Sequence, residues 1–233
     1  MRKGDVKRQE LLNVADRLFC TKGYEATSVQ DILDVLHTSK GGFYHYFVSK
    51  ESVLDTLCEQ RVERFCADAA AAMDAAGTPV ERMNLLLHYF LPLRKEELEF
   101  MTMLLPLLGK SESLSVRVRY QDALLQQFRA MMEDEIDRGY AAGAFHPVTH
   151  EAAVPILTLA NACWVEGALQ LIECAQNQQH QDPAAMLAVL EKYRRSIEVL
   201  LDAPYGSIEM ISLEEWNDLA ERLLRQLRLP MNG

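Results

Sequence analysis

A chain of 233 residues, about half of them hydrophobic, is long enough to bury a sizeable core in one or two domains. Its formal charge of −10 excludes a protein basic over its whole surface. The five scattered cysteines (Cys20, Cys58, Cys66, Cys163 and Cys174), with no CxxC, argue against a disulfide scaffold or zinc ribbon and for buried free thiols in a reducing cytoplasm.

The first predicted helix carries its stripe on Leu11, Val14, Ala15, Leu18 and Phe19, and Gly23 is placed to end it as a C′ residue. This stretch is amphipathic, so it is not the apolar core of a signal peptide. Arg2, Lys3, Lys7 and Arg8 crowd the start of the chain, where a flexible basic arm would reach phosphate or the minor groove. Residues 1–50 hold 8 Lys and Arg against 6 Asp and Glu, a net +2, while the remainder holds 16 against 28, a net −12. Only the N-terminal face can therefore approach a polyanion.

Residues 27–50, TSVQDILDVLHTSKGGFYHYFVSK, are the most informative run. Val29, Ile32, Leu33 and Leu36 fall at i, i+3, i+4 and i+7 of a helix. Thr27 or Ser28, with Gln30 or Asp31 three residues on, offers a capping box. A second, short helix must begin near Thr38 or Ser39, which leaves His37 for the turn: a brace, a turn and a recognition helix. Phe43 and Phe47, four apart, share one face. Gly41 and Gly42 inside a helix cost about 2 kcal/mol relative to alanine, so they mark either a close backbone approach to a phosphodiester wall or a loop. Ser49 is placed to cap the next helix, where Lys50 and the free N–H groups would hold a phosphate; the alternative is a solvated lysine beside Glu51.

SKGGFYHYFVSKESVL, preceded by KGYEATSVQDI, resembles the helix-turn-helix signature of the TetR/AcrR bacterial transcriptional regulators over about the first quarter of the chain. The resemblance implies an all-α protein that binds operator DNA as a dimer with its third helix in the major groove. By position, Ser39, Lys40, Gly41, Tyr44 and His45 would contact DNA from the third helix, Thr27 and Ser28 would meet phosphate from the second, and Lys50 from the fourth. The chain departs from the family at His37, where a glycine is usual, and at Thr38, where an apolar residue is usual. His tolerates the left-handed conformation better than most residues.

The remaining segments read as helix: a connecting helix from Lys50 through the Ala-rich run to Ala76, then residues 80–94, 96–108, 113–142, 149–178, 183–203 and 213–229. None approaches the roughly 18 uninterrupted apolar residues of a membrane span. Residues 152–175 are apolar around nearly the whole circumference, so that helix is buried on more than one side. With 183–203 it would supply the four-helix dimer interface that the resemblance implies. The expected organisation is therefore a helix-turn-helix domain over 1–49, a connecting helix over 50–76, an effector-binding and dimerisation domain over 77–205, and a C-terminal amphipathic helix over 206–233. That last helix, amphipathic through Leu213, Trp216, Leu219, Leu223, Leu224 and Leu227, would dock on the core, lengthen the dimer interface or bind a partner.

Candidate linings of a small-molecule pocket are His88, Tyr89, Phe100, Met103, Tyr120, Phe128 and Trp164, with Phe90, Met101 and Met131 among them, though such residues are also ordinary core filling. Pro92, Pro106 and Pro155 lie inside helical patterns and would kink them. Asn161 and Glu166 interrupt an apolar helix and need partners. No GxSxG, HExxH, P-loop or paired-cysteine zinc pattern occurs, and His146 and His150, four apart but split by Pro147, make a weak metal pair. The expectation is a cytoplasmic DNA-binding regulator, by family default a repressor, with no catalytic site, metal or cofactor, and with a small-molecule effector or, failing that, a protein partner controlling it.

Overall fold

The computed structural model describes residues 3–91, 100, 103, 114–149, 151–176 and 183–228. These hold nine α-helices and no strand: α1 Lys3–Lys22, α2 Val29–Leu36, α3 Lys40–Tyr44, α4 Lys50–Met73, α5 Pro79–Phe90, α6 Leu114–Ala141, α7 Ala153–Gln176, α8 Pro183–Leu201 and α9 Leu213–Arg228. The chain divides into two compact units, residues 1–62 with 95–123, and residues 63–94 with 124–233. Helices α4 and α6 each contribute residues to both. The expected segment 96–108 lies outside the described residues apart from Phe100 and Met103.

In the first unit, Leu11, Leu12, Ala15 and Phe19 of α1 are buried, as are Ile32 and Leu33 of α2, Phe43 and Phe47, and Val53, Leu54 and Leu57 of α4. Two helix ends show their local causes. Gly23, at φ +93°, accepts the left-handed turn after α1. Thr78 and Glu81 form a capping box at the start of α5, with Pro79 in the first turn where its missing N–H costs nothing. For Lys7 and Arg8 the expectation of a flexible arm is corrected, while Arg2 lies outside the described residues. Helix α1 begins at Lys3, Lys7 pairs with Glu10, and Arg8 reaches Thr56 and lies 5.1 Å from the centroid of the Phe47 ring.

In the second unit α7 packs against α8, α9 and α5. Pro155 does not kink α7. It is the third residue of the helix, inside the first turn, where no backbone bond is lost. Glu166 finds its partners within the chain, Lys192 Nζ at 2.6 Å and Tyr193 Oη at 2.7 Å. Residues 153–171 are long and apolar enough to cross a membrane by composition, but nearly half of them are buried inside the fold. Helix α9 docks through Trp216, Leu219 and Ala220, all under 4% exposed, with Trp216 edge-on to Trp164 at 6.3 Å. Arg82 of α5 ties three elements together: it pairs twice with the buried Glu135 of α6 at 2.7 Å and donates to the Met73 carbonyl at the end of α4. The buried Glu198 carboxylate accepts from the Gly206 and Ile208 N–H groups and so holds the connection between α8 and α9.

Candidate nucleic-acid interface

The site begins with two caps. Ser28 accepts from the Asp31 N–H at 3.1 Å while the Asp31 carboxylate accepts from the Ser28 N–H at 2.7 Å, so of the two candidate boxes the chain uses Ser28 with Asp31. Lys22 also donates to Asp31 at 2.8 Å, and Lys22 first, then Ser28, hold this carboxyl well below the usual carboxylate range. His37 ends α2 at φ +49°, left-handed, as its position in the turn requires. Ser39 then caps α3 by accepting from the Gly42 N–H at 3.2 Å.

Both glycines are helical, which settles the choice between helix and loop. They serve different ends. A Cβ on Gly42 would stand 2.8 Å from Thr38 Oγ1, so the departure at Thr38 and the glycine four residues later fit each other. A Cβ on Gly41 would meet nothing nearer than Ser39 Oγ at 3.9 Å. Gly41 thus leaves an open backbone surface rather than relieving a clash. Phe43 is fully buried and Phe47 nearly so, their centroids 6.0 Å apart, and they seat α3 on the domain. Opposite them Ser39, Lys40, Gly41, Tyr44 and His45 are all exposed, Tyr44 to 54%. An exposed lysine, a phenol, an imidazole and a bare backbone on one short capped helix suit phosphate and base-edge contacts.

Two expected contacts are placed elsewhere. Thr27 is 1% exposed, and its hydroxyl donates to the carbonyls of Gly23 at 2.7 Å and Leu18 at 3.3 Å, so it closes the turn after α1 instead of facing phosphate. Ser28, beside it, is exposed. Lys50 does not stand free at the start of α4. Its ammonium donates to the carbonyls of Tyr24 at 2.8 Å and Thr27 at 2.9 Å and sits 4.2 Å from the Tyr24 ring centroid. Desolvated carbonyls and an aromatic face outcompete water for this cation, so its charge ties the α1–α2 connection to α4. Ser49 does cap α4, exchanging bonds with Ser52 at 3.2 Å. Sequence patterning could not foresee the Lys50 contacts, because Tyr24 and Thr27 lie 26 and 23 residues away.

Among the described residues, the expected pocket residues are placed as follows. His88 lines an open groove of about 800 Å³ between the end of α4, α5 and residues 209–215. Phe128 and Trp164 are buried as core, Phe128 edge-on to Phe90 at 5.3 Å, and Tyr89 is half-buried. Phe100 and Met103 are buried in the N-terminal unit. The Tyr120 and Cys174 side chains and His150 fall outside the described set, and no group of metal-ligating side chains occurs among the described residues. Burial pushes the Cys58 and Cys163 thiols up to about 12 and Cys66 to about 11, which leaves them as unreactive thiols at neutral pH.

Residues 11–57 match the family described as bacterial regulatory proteins, tetR family. Over 78 residues the chain is 35% identical to the HTH-type transcriptional repressor KstR2 of Mycobacterium tuberculosis, a match covering 34% of this chain and 39% of that repressor. The whole chain is similar in fold to solved regulators. One, a TetR-family transcriptional regulator from Pectobacterium atrosepticum, has a TM-score of 0.60 at 20% identity over 88% of this chain and 99% of that one. Another, the regulator FadR of Bacillus subtilis in complex with stearoyl-CoA, has a TM-score of 0.58 at 16% identity over 84% and 99%. At those identities the likeness establishes the all-α fold.

Proposed function

We propose that the chain, which matches the tetR family of bacterial regulatory proteins over residues 11–57, is a cytoplasmic transcriptional repressor of that family that binds a palindromic operator as a dimer. The single observation that carries the reading is α3: a capped helix seated by Phe43 and Phe47 that presents Ser39, Lys40, Gly41, Tyr44 and His45 outward. Ser28 supports it from the start of α2. The dimer surface is the outer face of α7 and α8, where Val154, Leu169, Leu187 and Val199 are each about 40–50% exposed. A two-fold operator needs two recognition helices about 34–36 Å apart, which one chain cannot supply.

Release is by a small molecule held in the second unit. The groove beside His88 is within the range of about 300–1,000 Å³ that drug-sized ligands occupy. Its wall is polar at Asn84, His88 and Glu215 and apolar at Leu85, Met210 and Ile211. A protein partner in place of a small molecule has less support, since Trp216 and Leu219 of α9 are buried.

The test is selection of bound duplexes from a random pool, sedimentation of the free and bound protein, and a screen of small molecules for release. Long-chain acyl-CoA belongs in that screen because one structural neighbour was solved with stearoyl-CoA. The expected result is a palindromic site bound by a dimer and released by some compound. Recovery of no sequence preference would overturn the reading.

A further inference from the structure

Phe100 covers a charge in the N-terminal unit. The Arg61 guanidinium carbon lies 4.0 Å from its ring centroid, and the ring itself is 1% exposed. Nη2 of the same guanidinium reaches both carboxylate oxygens of Asp16, at 2.7 and 2.8 Å. Three stretches of chain therefore meet on one side chain: α1 through Asp16, α4 through Arg61, and the stretch between α5 and α6 through Phe100.

Other polar bridges between α1 and α4 are of a different kind. Arg8 to Thr56 and Gln60 to Gln9 each span 3.4 Å and link only residues up to 60. The Arg61 bridge is shorter, carries opposite charges, and meets Phe100 on the stretch beyond α5. Its place in the chain matters too. The backbone passes between the two units three times: after residue 62 in α4, after 94, and after 123 in α6. Arg61 stands just before the first crossing, and Phe100 lies on the stretch bounded by the other two.

We propose that Arg61 is a positioning residue for DNA binding: against Phe100, its guanidinium fixes Asp16 and with it the α1–α4 seam that carries the helix-turn-helix, so Phe100 tunes the DNA-binding competence of the N-terminal domain. This rests on the DNA-binding reading above. A guanidinium is planar, so it stacks on a ring with its face while bonding a carboxylate with its edge; an ammonium cannot do both. The phenyl ring also covers the guanidinium, whose side chain is 11% exposed, and so strengthens the cation–ring attraction, while the Asp16 carboxylate keeps some contact with water.

The experiment is a double-mutant cycle in the full chain, Arg61→Lys, Phe100→Leu and both, with two readouts. One is affinity for a duplex selected from a random pool; the other, without DNA, is hydrogen exchange of the α1 amides around Asp16. Phe100→Leu is expected to lower affinity about tenfold and to speed exchange in α1, the range a desolvated cation–ring contact supports. Added to Arg61→Lys it should change either readout by less than about twofold, because its partner is already gone. Phe100→Tyr, which keeps the ring, should retain both values. A loss from Phe100→Leu that persists undiminished in the Arg61→Lys background would show ordinary core packing and overturn the proposal, as would no change in either readout. If the unaltered chain retains no duplex, the DNA-binding reading falls, and the exchange cycle alone decides the coupling by the same criterion.

Discussion

Helix α3 has five residues and buries one of them, Phe43, while turning Lys40, Gly41 and Tyr44 outward; α7 has 24 residues and buries Ile156, Leu157, Ala160, Cys163, Trp164, Ala168 and Leu171. In α3 the chemistry lies in what is exposed, and the buried phenylalanine only holds it still. In α7 the chemistry is burial itself, and its exposed residues mix the apolar Val154, Pro155 and Leu169 with the polar Thr158 and Glu173. Exposed polar groups on a rigid seat suit a charged ligand, and exposed apolar groups on a buried helix suit a second apolar surface. The two helices therefore fail in different ways when altered.

The largest effect is expected at the seat. Phe43→Ala removes a fully buried ring from a small domain and should cost roughly 3–5 kcal/mol, which threatens the fold of the N-terminal unit. Differential hydrogen exchange would show whether α7 and α8 remain protected, as this comparison requires. Leu169→Glu is the counterpart on α7. Leu169 is 46% exposed in the single chain, so the substitution should leave the fold intact and abolish the dimer by burying an unpaired charge at its interface. Sedimentation at micromolar concentration reads this directly, and an unchanged dimer would remove α7 from the interface.

Much of the first region was legible because its determinants are local. Gly23, Ser28 with Asp31, His37, Ser39 and Ser49 each act within a few residues of themselves, and short-range patterns expose such devices. The contacts of Lys50 were not legible for the opposite reason: they are the carbonyls of Tyr24 and Thr27, 26 and 23 residues away in the α1–α2 connection. The second region's helices were legible to within a few residues at most ends, because apolar periodicity is strong over twenty residues. Its chemistry was not. Burial of Phe128 and Trp164 in the core, or of Phe100 against Arg61, follows from packing among elements far apart in sequence, which aromatic content alone cannot rank.

Tyr44→Ala tests the exposed side of α3. The ring is about half exposed, so stability should change by less than about 0.5 kcal/mol while operator affinity falls by roughly 1–3 kcal/mol if the phenol meets a base or phosphate. Thermal melting and titration of one duplex separate the two numbers. Lys40→Ala should in addition flatten the log–log salt dependence of binding by about 0.9 if it neutralises one phosphate.

Acid reaches the same region through Asp31. Its folded pKa is depressed by Lys22 and by Ser28, so its contribution is fully present above the unfolded value near 4 and is lost as pH falls below that towards the folded one. Melting of the N-terminal unit should therefore shift downward below about pH 4. Asp31→Asn should remove that part of the pH dependence while lowering stability at neutral pH, and an identical acid profile in the variant would show that the capping box contributes nothing.

The smallest effect separates two neighbours. Gly41→Ala places a methyl group in open space on a helix, where alanine is better than glycine by roughly 0.5–1 kcal/mol, so it should stabilise the domain slightly. If the bare backbone at Gly41 is there to approach DNA, the same methyl should weaken operator binding. Gly42→Ala offers the same backbone gain but sets a methyl group 2.8 Å from Thr38 Oγ1, which must rotate away, so its gain should shrink or vanish. Combining Gly42→Ala with Thr38→Ala removes that obstruction and should recover the missing stability. Melting of the four variants together with their affinities for one operator gives a clear reading: stability and affinity move in opposite directions at Gly41, whereas at Gly42 stability follows Thr38. If affinity stays level in Gly41→Ala, the open backbone of α3 is not a contact surface, and the comparison with α7 rests on Lys40, Tyr44 and His45 alone.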